Sequence, residues 1–511
     1  MAVPLSNESI RETTTSQKNF YPVRPNVSSI SISFCLCLLG VVGFSLASDQ
    51  FIHWFVVPVL LCGTLIGTDA VDWFRHRLDT FDPVGLVGLL GLHFFFLAPL
   101  LHVYWDYWMP TTATSVMGPP DWRNWLGGMA VLNFLGLLVY RLFRERVSWT
   151  RESRLEQRVW VIDKGRFLGA LTVSLVVALG VQLLVFSRFG GLGGYIASVE
   201  SGQGLPGIGW MVMISESFPI LTVIGFAVLS RNAKLSRNWF ILLLVVLAFL
   251  GLQFLFGGLR GSRSNTIWAL FWAVGVIHLW VRPIPRVLVY FGVILMVLFM
   301  YFYGIYKWAG QDAFQEALHS PAGWTQLEEQ TSRTPSYIIL TDFGRSGIQA
   351  LLLYRLTSPE FDYDYAWGRT YLGAVFQVLP NAIWPEPPPT KMKEGTEAQY
   401  GRGSYAPGVF ESSFVYGLAG ETMLNFGPLG VPLAFALLGL VVGQVRRWFI
   451  SLQAYDARLL LLPFLIILCF IVLVSDLDNV IFYTIKNGSI PFLVILISSK
   501  SKRLSRECEF P

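Results

Sequence analysis

Long apolar runs alternate with short polar connections along most of this chain. The runs fall near residues 28–48, 51–68, 83–104, 122–143, 166–188, 210–230, 238–257, 264–281, 286–306, 428–445, 458–475 and 479–499. Each is close to the roughly 20 residues that carry an α-helix across a ~30 Å hydrocarbon core. A backbone inside lipid must satisfy its own hydrogen bonds, so the pattern predicts about twelve transmembrane helices. The first run is followed by "SLASDQ", which resembles a cleavage site, but the polar residues before it are too many and too weakly basic for a signal peptide; it reads as a retained anchor.

The connections themselves alternate. Those at 69–82, 141–166, 231–237, 282–286 and 446–458, together with the segment from 500, are rich in arginine and lysine. Those at 49–50, 105–121 and 475–478 are nearly free of them. Basic connections mark the cytoplasmic side, which places both termini there and makes the chain multi-pass. The expected order is a tail over 1–27, nine helices over 28–306, an outer cap over 307–412, then a re-entrant segment and three helices over 413–499, and a tail over 500–511.

Two segments break the alternation. "LFGGLRGSRSN" at 255–265 puts Arg260 and Arg263 on the outer side, where orientation gives no reason for arginine. The cap is too long for a structureless loop and carries Lys307, Arg333, Arg345, Arg355, Arg369, Lys391, Lys393 and Arg402. Within it, 336–356 predicts one amphipathic helix with Asp342, Arg345 and Gln349 on a common face, suited to lying along the membrane surface. "PEPPP" at 385–389 predicts a stiff extended connector.

Composition agrees with the pattern: 53% hydrophobic residues, 14% charged and a mean hydropathy of +0.53 lie outside the usual soluble range. The net charge of +5 reflects topology markers and makes no case for nucleic acid. The five cysteines and six histidines have no metal-ligand spacing. "GGLGG" at 190–194 lacks the lysine of a phosphate-binding loop, so ATP-coupled transport has no support. No repeat is visible, against an inverted-repeat transporter.

Ionisable residues inside apolar runs are costly and point to function or to a buried ion pair. Glu216 lies in the sixth run. Glu421 lies in "GLAGETMLNFGPLGVP", whose glycines and proline predict a broken helix, and Lys486 lies in "TIKNGSIP". In "GGLRGSRS", arginine forks and close-approaching glycine N–H groups stand before a helix N-terminus, a pattern suited to phosphate or diphosphate. Trp324, Tyr337, Tyr363, Tyr365, Trp367, Tyr371, Trp384, Tyr400 and Tyr405 make the cap aromatic, which suits sugars as well as a membrane interface.

Three stretches carry a family resemblance: "FGGLRGSRSNTIW" at 256–268, "VLPNAIWPEPPP" at 378–389 and "GLAGETMLNFGPLGVPLAFALLG" at 417–439. With the large outer loop, they resemble the Wzy-type polymerases of O-antigens and exopolysaccharides, the oligosaccharide repeat unit polymerases. The likeness covers about the second half of the chain. It implies an all-α, GT-C-like glycosyltransferase of the bacterial inner membrane, working at the periplasmic face. Such an enzyme moves a growing glycan from undecaprenyl diphosphate onto the next lipid-linked repeat unit, with no cofactor, metal or nucleotide sugar. Its donor and acceptor are both undecaprenyl-diphosphate-linked oligosaccharides, and a flippase and a chain-length regulator are its expected partners. The resemblance assigns the donor diphosphate to Arg260, Arg263, Arg345 and Arg402. Glu421 or Asp342 would take the proton or orient the acceptor, and Glu216, Lys486 and Lys307 are further candidates. The spaced Arg/Gly pattern of some members is not clearly present. Nor does a histidine stand near Glu421, as in related O-antigen ligases, which favours polymerase over ligase. A flippase of lipid-linked oligosaccharide is the principal alternative.

Overall fold

The computed structural model describes residues 27–108, 118–149, 158–200, 209–231, 233, 236, 238–260, 263–331, 333–377, 388–412 and 414–503. Among them, eleven helices are long and apolar enough to cross a membrane. In chain order these and their connections are α1 Val27–Ala47, α2 Val56–Phe74, α3 Pro83–Tyr104, α4 Trp122–Trp149, strand β1 Arg158–Ile162, α5 Lys164–Arg188, α6 Gly209–Ser230, α7 Trp239–Phe256, α8 Arg263–Val281 and α9 Arg286–Leu318. The cap follows with α10 Pro321–Thr331, α11 over 335–342, α12 Ser346–Thr357, α13 Arg369–Phe376 and α14 Lys391–Tyr400. Then come α15 Gly417–Phe426, α16 Pro428–Ser451, α17 Leu462–Val474, α18 Leu477–Ser498 and strand β2 Ser499–Arg503. The expected number of crossings is met if α17 is counted, but its 13 residues span only about 20 Å at 1.5 Å per residue.

Helix starts are written in the sequence. Asp82 accepts from Val84 N at 2.9 Å with Pro83 in the first turn, Asp163 caps α5 through Arg166 N, and Asn238 caps α7 through Phe240 N. Close helix crossing is equally local. A Cβ on Gly439 would lie 2.5 Å from Tyr140 O, and one on Gly443 would lie 2.9 Å from Arg144 O. That small-xxx-small pair lets α16 press directly on the backbone of α4.

The basic connections gather at one end of the bundle. β1 pairs antiparallel with β2, Arg158 opposite Arg503 through Ile162 opposite Ser499. Lys500 reaches Asp163 at 2.5 Å, Arg458 donates to Arg158 O, and Arg231 donates to Ala454 O. The acidic residues of "TDAVDWFRHRLDTFDP" complete this end. Asp69 pairs with Arg144, Asp72 with Arg77 at 3.3 Å and with Ser29 at 2.6 Å, Asp79 with His278 at 3.0 Å, and Asp82 with Arg446 at 3.4 Å. The basic connections expected to share one side thus do lie together. The two-stranded sheet is an addition that the hydropathy pattern does not announce.

Three expectations need correction. The second helix runs over Val56–Phe74 rather than 51–68, because its two aspartates are neutralised by Arg144, Arg77 and Ser29 and the helix continues through them. The fourth runs on to Trp149. The predicted helix over 336–356 is two helices, not one, and its second half does not lie on the surface. Arg345 turns back to donate to Thr341 O and Gly344 O, which ends α11, and Ser346 to Arg355 of α12 are buried throughout. Gly347 lets α12 in, since a Cβ there would sit 2.9 Å from Trp108 O. Most of "PEPPP", the 1–26 segment and the Arg260 side chain lie outside the described residues.

Candidate functional site: a cationic centre opposite the basic connections

The glycine-rich break between α7 and α8 is built as a short turn, Gly258–Arg260, and Gly258 O accepts from Tyr303 Oη at 2.6 Å. α8 then opens with Arg263, whose Nη1 donates to Asp342 Oδ2 at 2.8 Å and to Met300 O at 3.3 Å, while Nη2 lies 3.5 Å from Asp342 Oδ1. Arg333 Nη1 reaches the same Asp342 Oδ2 at 3.4 Å, with its guanidinium 4.4 Å from the Tyr337 ring centre. Gly304 of α9 makes room: a Cβ there would stand 3.0 Å from Arg263 Nη1 and 3.9 Å from Arg333 Cδ. Lys307, one turn further on, lies within electrostatic reach of both arginines, and no carboxylate pairs with it among the described residues. Two arginines therefore share one carboxylate, and a lysine stands beside them.

Arg345 borders this centre and is satisfied by carbonyls: Nε donates to Val474 O at 3.2 Å and Nη1 to Asp342 O at 3.2 Å. Burial disfavours its charge, and Asp476 and Asp342 offset part of that effect; an arginine stays protonated regardless. Tyr337 and Tyr107, which face the same groups, are both shifted upward by burial.

Through Val474 the centre continues into a second one. Asp476 accepts from Tyr416 N at 3.0 Å and Gly417 N at 2.8 Å and pairs with Lys391, which also lies 3.5 Å from Asp478. Glu421 accepts from Thr370 Oγ1 at 2.8 Å and from Leu477 N at 2.6 Å. It is buried, and burial followed by repulsion from Asp476 pushes its pKa up to about 8. Burial raises the pKa of Asp476 as well, but a lysine and two backbone N–H groups face its charge, whereas Glu421 is met by one hydroxyl and one backbone N–H. As predicted, the helix bearing Glu421 is broken: Gly427 ends it at φ 74°.

The remaining candidates fall elsewhere. Glu216 and Lys486 form a buried ion pair at 2.6 Å, the structural alternative to a functional role for either. Arg402 lies apart from the cationic centre, in a solvent-exposed pair with Asp364. Sequence reasoning placed Arg333, Lys391 and Asp476 on the outer side but gave them no role, and it passed over Thr370. No shared local signal marks these four. Among the described residues the four π-turns hold His93, His278, Asp342 and Lys486, and such turns recur at functional positions.

The chain is thus a multi-pass helical membrane protein with a cationic centre at the end opposite its basic connections. No family model, curated protein or solved structure matches it.

Proposed function

We propose that this protein is a lipid-linked oligosaccharide polymerase with a GT-C-like arrangement, seated in a bacterial inner membrane with both termini in the cytoplasm and the cationic centre facing the periplasm. The observation that carries the reading is the sharing of Asp342 by Arg263 and Arg333, with Lys307 adjacent. Asp342 holds the two forks in place, and a diphosphate would bring the negative charge that this set of cations is built to meet.

In the reaction, an acceptor sugar hydroxyl attacks the anomeric carbon of the donor glycan. The bond from that carbon to the diphosphate oxygen breaks, and the lipid diphosphate leaves with its charge held by Arg263, Arg333 and Lys307. The hydroxyl proton passes to a base. Glu421 suits that task, because a carboxylate with raised proton affinity is a stronger base near neutral pH. Asp342, flanked by two guanidinium groups, is better suited as their counter-ion. Holding two lipid-tethered substrates in register contributes further to rate.

The test is glycan size in cells lacking the protein, complemented with wild type or Arg263→Ala at matched expression. Single lipid-linked repeat units outside the inner membrane, in both the deletion and the variant, are the expected outcome. Repeat units trapped on the cytoplasmic side would make the protein a transporter. Full-length glycan in the variant would remove the cationic centre from the reaction.

A further inference from the structure

The segment "DYAWGRT" at 364–370 wraps the C-terminal end of α15, the helix that carries Glu421. A helix end leaves carbonyls without partners, and here Ala366 N donates to Leu424 O and Trp367 N to Asn425 O, both at 2.9 Å. Gly368 N donates to Asn425 Oδ1 at 2.9 Å, and Thr370 reaches Glu421 itself. To make these bonds Trp367 takes a φ of +47° and Gly368 a φ of +90°. Left-handed backbone is unremarkable for glycine and a genuine outlier for a bulky aromatic. The strain does not serve burial of the indole, which is 71% exposed. It aims the ring outward.

Around that ring stand others. Tyr365 lies 6.2 Å away, nearly perpendicular, and Phe426 lies 6.4 Å away; Tyr371 packs 6.0 Å from Phe426. The exposed charges beside them carry both signs: Asp364 pairs with Arg402, and Arg369 follows two residues after the ring. A bilayer anchor needs no fixed ring orientation. A flat ring held rigidly among donors and acceptors matches a sugar instead, whose C–H face stacks and whose hydroxyls donate and accept.

We propose that Trp367, with Tyr365 and Phe426, is a stacking platform for neutral hexose rings, holding glycan on the same loop that bonds Glu421. The assignment rests on the transfer reading only for the source of the glycan. The platform is a positioning site: it sets where a sugar lies relative to Glu421 and takes no part in proton transfer.

The experiment uses the full chain in lipid nanodiscs on an array of hexose and N-acetylhexosamine oligosaccharides, since stacking tolerates changes in ring substituents. Wild type and Trp367→Tyr are expected to retain glycan, and Trp367→Ala to lose at least tenfold. Trp367→Gly should lose retention equally while melting no lower than wild type, because glycine removes the strain along with the ring. No retention by wild type, or undiminished retention by Trp367→Ala, overturns the platform. So does an unchanged array result combined with weakened vesicle insertion of Trp367→Ala, which would make the indole a bilayer anchor. Trp367-dependent retention alongside full-length polymer in Arg263→Ala would sink the transfer reading and leave the sugar platform standing.

Discussion

Two charge clusters at opposite ends of the bundle, one around Asp69 to Asp82 and one around Asp342, use the same residue types to opposite effect. In the cluster around residues 69–82 each aspartate has a partner of its own: Asp69 with Arg144, Asp72 with Arg77, Asp82 with Arg446, Asp79 with His278. Each pair joins different helices or a helix to the connection beside it, so the charges act as clamps. At the other end Arg263 and Arg333 divide one carboxylate, Arg345 rests on carbonyls, and Lys307 has no carboxylate beside it among the described residues. Matched charges fasten helices together; a surplus of one sign prepares a place for an ion from outside. Stoichiometry, more than the presence of arginine, separates structure from site.

Breaking a clamp should have the largest effect. Removing one partner strands a buried charge, so Arg144→Met is expected to lower unfolding free energy in detergent by about 3–5 kcal/mol and to leave diphosphate binding intact. Glu216 and Lys486 extend the comparison, because they are matched although they lie away from the basic end. Glu216→Gln or Lys486→Met alone should cost about as much, and the double variant should recover most of it. A double variant as weak as the sum of the two singles would argue against a simple pair.

Arg263→Ala should behave in the opposite way to Arg144→Met. Losing charged hydrogen bonds to an anion is worth about 1.5–3 kcal/mol, so inorganic diphosphate should bind roughly ten- to a hundredfold more weakly, with melting nearly unchanged. If both variants melt alike and bind alike, the contrast between the ends is wrong.

A smaller effect is expected from pH. Glu421 binds its proton more tightly folded, at about 8, than its ordinary value of 4.5. Its contribution to stability is therefore fully present below the ordinary value and lost as pH rises through the folded one. Wild type should melt progressively lower across that window and Glu421→Gln less so. Transfer, which needs the ionised form, should rise with pH over the same range and be lost in the variant. Last, Arg402→Ala should change stability by less than about 1 kcal/mol, as for other solvent-exposed pairs.

Much of this arrangement is legible from one-dimensional features. Hydropathy locates the spans, and arginine counting separates the ends, because both follow from local energies of transfer. It also isolates Arg263, whose position orientation does not explain. What escapes is any fact about partners. Nothing near Glu216 in the sequence announces Lys486, and nothing near Arg263 announces that Asp342 will be shared with Arg333. Arg402 looked equivalent to Arg263 by charge and side, yet it ends in solvent. The one-helix reading of 336–356 fails for a related reason: a period can show which residues share a face, but not that Arg345 will bond the carbonyls of its own turn.

The pairing of β1 with β2 joins residues more than three hundred positions apart, as Lys500 and Asp163 illustrate. A ribosome delivers β1 after α4 and delivers β2 only after α18. The strand pair therefore closes the basic end only once α5 to α18 have been made.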